Sequence, residues 1–214
     1  MKYLISFLFL ALAFSMKSEA KVTLPSILGD NMVLQQQAEV KLWGKARPNA
    51  TVTVKTSWNG QTYKFSSDGK GGWSLTVSTP VAGGPYKIIF NDGELLTLQN
   101  VLIGEVWFCS GQSNMEMPMG CFDRQPVRGA NDIIAKAKPS TPIRMYTTDS
   151  KDGRWVRQFS KTPAEDCQGE WLENTPVNVS HISAVSYYFA RYIQEVLEVP
   201  VGIVVSTWGG SRIE

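Results

Sequence analysis

Glycine, amide and hydroxyl groups follow closely after one apolar run of the sequence. Residues 106–109 are Val-Trp-Phe-Cys, and Gly111, Gln112, Ser113 and Asn114 come soon afterwards. A serine hydroxyl becomes an acyl-transfer nucleophile when a rigid turn projects it, N–H donors face the developing oxyanion and a general base accepts its proton. The apolar run predicts a buried strand that fixes the turn, and Gly111 lets the backbone bend sharply. We therefore predict Ser113 as a nucleophile, with Gln112 and Asn114 donating to an oxyanion or holding the loop.

A second bend of similar character lies near the end of the sequence. Residues 201–206 are Val-Gly-Ile-Val-Val-Ser, a run typical of a strand that is buried on both faces, and Gly209 and Gly210 follow it. Ligands bind where the carboxyl ends of parallel strands meet, so we expect an N–H of this glycine pair to face Ser113. Each bend alone also has an ordinary explanation, a helix N-cap for Ser113 and simple turn geometry for the glycines.

The first part of the sequence is typical of short antiparallel strands. Turn sequences such as Asn59-Gly60 and Asp68-Gly69 accept positive φ and separate the strand-like runs. We predict a β-sandwich domain, of jelly-roll or immunoglobulin-like type, over residues 21–100. Its predicted strands include residues 38–44, 51–56, 73–77 and 86–90.

The second part predicts an α/β domain over residues 101–214. Strands at 105–110, 143–146 and 201–206, with helices at 131–138 and 183–197, imply a βαβ unit in a parallel, flavodoxin-like sheet. The longer helix carries an apolar face at helical spacing. We expect this domain to be incomplete at its C-terminus, because it has fewer strands than a doubly wound sheet normally needs. The apolar face comprises Val185, Phe189, Tyr192, Ile193, Val196 and Leu197.

Composition and the N-terminus narrow the class of protein. The formal net charge is +2, from 21 basic and 19 acidic residues, which argues against a nucleic-acid-binding protein. A basic start, a short apolar run and small residues before position 21 predict a signal peptide over residues 1–20. We therefore expect export to the periplasm or the extracellular space, without a membrane span in the mature chain.

Three cysteines and one histidine complete the reactive residues. Cys109 lies inside an apolar run and is interpreted as a small buried hydrophobe. Cys121 and Cys167 are the pair that we expect if the exported chain forms a disulfide. No CxxC pair or histidine-rich spacing predicts a metal site, and His181 has no co-ligands near it in sequence.

Several segments resemble one known family. Trp107 and residues 109–117, Cys-Ser-Gly-Gln-Ser-Asn-Met-Glu-Met, resemble the nucleophile block of the sialate O-acetylesterases, a family of SGNH-like hydrolases. Residues 199–204 and 206–214 resemble the second block of that family. Residues 182–190 are similar to the helix between the two blocks, and residues 24–35 to the usual opening. The resemblance spans nearly the whole mature chain.

The resemblance implies an esterase that removes O-acetyl groups from sialic acid or related sugars. If the residue roles of the family apply to the matching positions here, Ser113 attacks the acetyl carbonyl. Its own N–H, together with that of Gly209 or Gly210, then stabilises the oxyanion. Gln112 and Asn114 take supporting roles. The family implies neither a metal nor an organic cofactor.

The sequence departs from the family at the general base. In this family, the base is a histidine late in the catalytic domain, and an aspartate orients it. The one histidine of this sequence, His181, instead precedes the 183–197 helix. We do not expect His181 to be the base. We expect the chain to be the N-terminal part of a longer enzyme. The alternative is an exported, non-catalytic carbohydrate-binding module in which Trp43, Trp58 and Trp73 stack on sugar rings, although tryptophans of a β-sandwich are more often core.

Overall fold

The computed structural model describes residues 22–151, 154–156 and 162–212, so the predicted signal peptide over residues 1–20 lies outside the described residues. The strands are β1 (Val33–Gln35), β2 (Glu39–Lys45), β3 (Thr51–Thr56), β4 (Thr62–Ser66), β5 (Gly72–Ser78), β6 (Gly83–Asn91), β7 (Leu95–Gly111), β8 (Ile143–Thr147), β9 (Ser150–Lys151), β10 (Arg154–Trp155), β11 (Trp171–Glu173) and β12 (Val201–Thr207). The helices are α1 (Ser113–Glu116), α2 (Ala130–Lys136), α3 (Pro176–His181) and α4 (Ala184–Leu197).

One mixed sheet carries both halves of the fold. Its strand order is β11-β8-β12-β7-β6-β3-β4, and β1 also pairs with β7. On one side of β7 the strands run antiparallel, while β7, β12 and β8 are parallel to one another. A mixed sheet with parallel strands and few helices is consistent with an SGNH-like α/β fold. A separate β-sandwich domain is not confirmed, because β7 passes unbroken from the antiparallel half into the parallel half.

A large core joins the antiparallel half to the ladder formed by β2 and β5. Alternate residues of each strand point inward, as expected for strands with one buried face. The same cluster reaches Tyr146 on β8, Trp171 on β11 and Val204 on β12, so packing is continuous across the two predicted domains. Its central residues on the antiparallel side include Leu42, Val52, Val54, Trp73, Val77, Ile88 and Phe90.

The helix α4 covers the parallel half with a different face from the one predicted. Ser183 caps this helix by accepting a hydrogen bond from the Ser186 amide, and Tyr187 and Ala190 are buried against the sheet. The large residues of the predicted apolar face remain accessible among the described residues, except for Ile193, which packs at the edge of the core. The accessible residues are Val185, Phe189, Tyr192, Val196 and Leu197.

The predicted Cys121–Cys167 disulfide is wrong, since all three cysteines are free thiols. The Cys167 sulfur lies 3.1 Å from the hydroxyl oxygen of Tyr146 and has other partners there. Cys121 is exposed and lies in the loop after α1, where its N–H donates to the carbonyl of Pro118. Each cysteine is thus held by its own local contacts.

An ion pair between β8 and β11 provides a test of the fold. The Arg144 side chain is 5% exposed, and its Nη2 lies 3.1 Å from Glu173 Oε1. Burial lowers the pKa of Arg144, and the neighbouring Glu173 carboxylate opposes that shift. Glu173→Gln removes the countercharge of a buried guanidinium, so we expect a loss of about 1–3 kcal/mol in the free energy of unfolding in urea.

The matched control is Glu195→Gln. Glu195 pairs with Arg191 one turn away on α4, but both side chains are accessible, at 60% and 36%. Water screens such a pair, so its removal should change stability by less than about 0.5 kcal/mol. Equal losses in the two variants would contradict the assignment of the Glu173 pair as a stabilising contact.

Candidate active site

The first bend follows the carboxyl end of β7. Gly111 has a φ of +149°, and a Cβ on it would lie 2.7 Å from Cγ of Met115, so a larger residue would be strained and crowded here. Helix α1 begins at Ser113 and is only four residues long. Gln112 stands at its N-cap position without a side-chain capping bond. Ser113 is exposed at this bend, as a hydroxyl that meets a substrate has to be.

The second bend lies beside the first. The parallel pairing of β7 with β12 places Thr207 opposite Gly111, so the two strands end together. The Trp208 N–H donates to the Gly111 carbonyl over 3.0 Å, which joins the bases of the two bends. A turn from Trp208 to Ser211 follows, closed by a 3.1 Å hydrogen bond, and Gly210 supplies its positive φ of +77°.

The Ser113 hydroxyl comes next to Gly209. A Cβ on Gly209 would lie 3.6 Å from Ser113 Oγ, which is ordinary van der Waals contact. A parallel pair of strands that ends in two bends thus brings the predicted nucleophile and one predicted glycine to the same place. Gly210 stands at the outer position of the turn, with nothing within 4 Å of a Cβ built on it.

Glu116 is part of this site, although the sequence analysis gave it no role. Its carboxylate accepts a hydrogen bond from the Gly209 N–H. A Cβ on Gly209 would lie 2.7 Å from Glu116 Oε2, so a side chain at this position would push the carboxylate aside. The available signal was the position of an acidic residue one helical turn after Ser113, within the segment that resembles a nucleophile block.

Gln112 and Asn114 are both exposed at the first bend. A cavity of about 190 Å³ opens here and is lined by Ser110, Gly111, Gln112, Ser211 and Arg212. The cavity therefore lies between the two bends and is large enough for a small acyl group. Arg212 brings a cation to its rim, a feature that the sequence analysis did not single out.

His181 is not brought to the serine. It ends helix α3 and is exposed, and within the described ranges no hydrogen bond or ion pair joins it to Ser113. Cys109 is not an alternative nucleophile, because burial raises the pKa of its thiol above the ordinary value, outweighing a hydrogen bond with Ser186 that lowers it. A raised pKa keeps this thiol protonated near neutral pH.

The three tryptophans of the alternative prediction differ in their surroundings. Trp73 is buried, and Trp58 packs edge-on against Tyr86 while its N–H donates to the Ser78 carbonyl. Trp43 is 41% exposed and borders an open groove of about 780 Å³ that Lys41 also lines. Of the three, only Trp43 offers an accessible ring.

The described residues offer neither a metal-binding cluster nor a membrane-spanning helix. No group of three or more His, Cys, Asp or Glu side chains in those ranges could hold a metal ion. No helix there has both the length and the apolar character needed to cross a membrane.

Comparisons with known proteins extend the resemblance seen in the sequence. No family model matches the chain. The chain is 28% identical over 207 residues to the sialate O-acetylesterases of Homo sapiens and Pongo abelii, which covers 88% of this chain. The resemblance to sialate O-acetylesterases is confirmed. A crystal structure of a carbohydrate acetylesterase from Xanthomonas citri superposes with a TM-score of 0.79 at 34% identity, over 91% of this chain.

The aligned regions cover most of this chain but less than half of each relative. The chain spans 37% of the length of the human and orangutan sialate O-acetylesterases, and 42% of the Xanthomonas citri acetylesterase. Similarity therefore extends over most of this chain. Most of each relative has no counterpart in this chain.

Proposed function

We propose that the chain carries the nucleophile part of a carbohydrate O-acetylesterase that acts on O-acetylated sialic acid or a related acetylated sugar. The observation that carries this proposal is the placement of the Ser113 hydroxyl against Gly209, at the carboxyl ends of two parallel strands. The similarity to sialate O-acetylesterases and to a carbohydrate acetylesterase supports the same chemistry.

In the proposed reaction, Ser113 Oγ attacks the acetyl carbonyl carbon and the carbonyl oxygen becomes an oxyanion. The Ser113 N–H is one donor to that oxygen. We assign the second donor to Gly210, because the Gly209 N–H already donates to the Glu116 carboxylate. Gln112 and Asn114 hold the loop or the substrate. The sugar hydroxyl leaves, and water then releases acetate from the acyl-serine.

The proton of Ser113 has to pass to a general base. The family resemblance implies a histidine in that role, and no described residue of that type contacts Ser113. His181 is the one histidine of the sequence, so a histidine base for Ser113 would have to be supplied from outside it. An added imidazole base supplies this group in an assay of the chain itself.

Export and the division of the chain belong to the same proposal. Residues 1–20 would direct export to the periplasm or the extracellular space and then be removed. Residues 21–100 would form a β-sandwich unit, with β2 and β5 packed on the antiparallel strands, and residues 101–214 the first part of an SGNH-like domain. The continuous core between them means that the two units would unfold together.

The acyl-serine gives a direct test. We expect incubation with 4-nitrophenyl acetate and imidazole to place an acetyl group on Ser113, detected by mass spectrometry of the peptide that contains it. Removal of the acetyl group also needs a base, so the acylated form should accumulate when imidazole is dilute. Acetyl groups found on surface lysines alone would count against the proposal.

A second candidate function is non-catalytic sugar binding at Trp43. The exposed ring beside an open groove favours it. Under this alternative, Trp43→Ala should weaken binding to an acetylated polysaccharide by roughly threefold to tenfold in calorimetry, the equivalent of one lost aromatic stacking contact. Tyr192→Ala, which removes an exposed ring on α4, is the control. Equal affinities for Trp43→Ala and the unmodified chain would exclude this site.

A further inference from the structure

Little packing holds the two bends of the site in place. Helix α1 is four residues long and contains no buried residue. Beyond β12, Gly209, Gly210 and Ser211 are all exposed. A short exposed helix and an exposed glycine turn have few apolar contacts to fix their separation. Hydrogen bonds between the two bends therefore contribute to their relative position.

Two such hydrogen bonds join the bends, one where the strands end and one beside Ser113. At the base, the Trp208 N–H donates to the Gly111 carbonyl over 3.0 Å, where the strands end. Above it, at the level of the nucleophile, the Gly209 N–H donates to the Glu116 carboxylate. The second bond reaches from helix α1 to the glycine turn through a side chain, so a substitution can remove it without changing the backbone.

The carboxylate approaches the glycine closely, and Ser113 lies on the same side. A Cβ on Gly209 would lie 2.7 Å from Glu116 Oε2 and 3.6 Å from Ser113 Oγ. A side chain at position 209 would thus displace the carboxylate before it crowded the hydroxyl. The absence of a side chain at Gly209 serves the contact with Glu116.

We propose that Glu116 is a positioning residue, whose carboxylate holds the Gly209 amide and keeps the glycine turn beside Ser113. Its effect on turnover rests on the proposed esterase function, whereas the contact itself does not. The carboxylate acts through Gly209 and the adjoining Gly210 amide. It need not touch the substrate.

Substitutions at position 116 distinguish the effect of side-chain length from the effect of side-chain charge. Glu116→Gln keeps an oxygen at the same distance and removes the charge, while Glu116→Asp keeps the charge and shortens the side chain. We expect imidazole-supported acetyl release to fall roughly tenfold to a hundredfold in kcat for Glu116→Asp and Glu116→Ala, the cost of a misplaced catalytic group, with a smaller change in KM. Glu116→Gln should stay within about threefold, because its amide oxygen accepts the same hydrogen bond.

A double substitution tests whether the two residues act through one contact. Gly209→Ala should reduce kcat as Glu116→Ala does, and the Glu116→Ala/Gly209→Ala pair should be no slower than either alone. Thermal unfolding of all these variants should match that of the unmodified chain. Additive losses, or a Glu116→Gln variant as slow as Glu116→Ala, would overturn the proposal.

Hydrogen exchange at the Gly209 amide provides a readout that needs no activity. By NMR, this N–H should exchange roughly tenfold faster in Glu116→Ala than in the unmodified chain, with Glu116→Gln near the unmodified value. An unchanged exchange rate in Glu116→Ala overturns the proposal whether or not the chain is an esterase. If no acetyl group reaches Ser113 while exchange behaves as expected, the esterase proposal fails and the positioning contact stands.

Discussion

Ser113→Ala is expected to reduce imidazole-supported acetyl release from an O-acetylated sugar to the uncatalysed background, a loss of roughly a thousandfold or more. The physical reason is that the Ser113 hydroxyl oxygen forms the covalent bond to the acetyl carbon. Cys109 is excluded because burial raises the pKa of its thiol and keeps it protonated. The measurement is acetate release, with imidazole alone subtracted as the blank.

Ser211 supplies a closely matched control for this variant. It is an exposed serine of the second bend, and it lines the cavity of about 190 Å³ that also borders Gly111 and Gln112 of the first bend. Ser211→Ala removes a hydroxyl group of the same kind from the neighbouring bend, so a general change in polarity at the site would affect both variants. We expect Ser211→Ala to keep kcat within about threefold of the unmodified chain. Comparable losses in the two variants would argue that the cavity, and not one nucleophile, accounts for the activity.

The meeting of the two bends was predictable because it depends on strand direction alone. Two parallel neighbouring strands end on the same side of a sheet, so any residues that follow them directly must come together. The sequence contains both strands as apolar runs and both bends as glycine-containing segments. The structure needs only the pairing of Thr207 with Gly111 to bring Ser113 to Gly209.

The contact of Glu116 was not predictable in the same way. A hydrogen bond from a main-chain amide to a side chain depends on the rotamer and on distances of a few tenths of an ångström. Neither property leaves a periodic pattern in a sequence. The same limit explains the disulfide, since exported cysteines can pair only if the fold brings them together, and Cys121 and Cys167 are held by separate contacts.

The orientation of α4 shows a second limit of pattern analysis. Helical spacing identified the large apolar residues as one face, and they do share a face, but Tyr187 and Ala190 are the residues buried against the sheet. Helical periodicity shows which residues share one face of the helix. It does not show which face packs against the sheet. Composition has a related limit where one unit is to be divided from the next. A turn-rich half and a β-branched half differ in composition, yet β7 belongs to both.

Gly104→Ala is expected to be the most destabilising of these substitutions, because Gly104 lies where β7 enters the parallel half. A Cβ on Gly104 would lie 2.0 Å from the Pro200 carbonyl oxygen and 2.7 Å from the Pro200 carbonyl carbon. Both are backbone atoms, which cannot move aside as the end of a flexible side chain can. The same Pro200 oxygen accepts a 2.9 Å hydrogen bond from the Glu105 N–H, beside the first residues of β12.

One methyl group at position 104 therefore forces the start of β12 away from β7. We expect a loss of about 3 kcal/mol in the free energy of unfolding in urea, at the upper end for an overpacked core. Gly69→Ala is the control, because nothing lies within 4 Å of a Cβ there, and it should stay within about 0.5 kcal/mol. Since β12 also carries Gly209, the folded fraction of Gly104→Ala should turn over substrate more slowly per molecule than the unmodified chain. A variant as stable as Gly69→Ala would show that β7 and β12 are not in contact at Pro200.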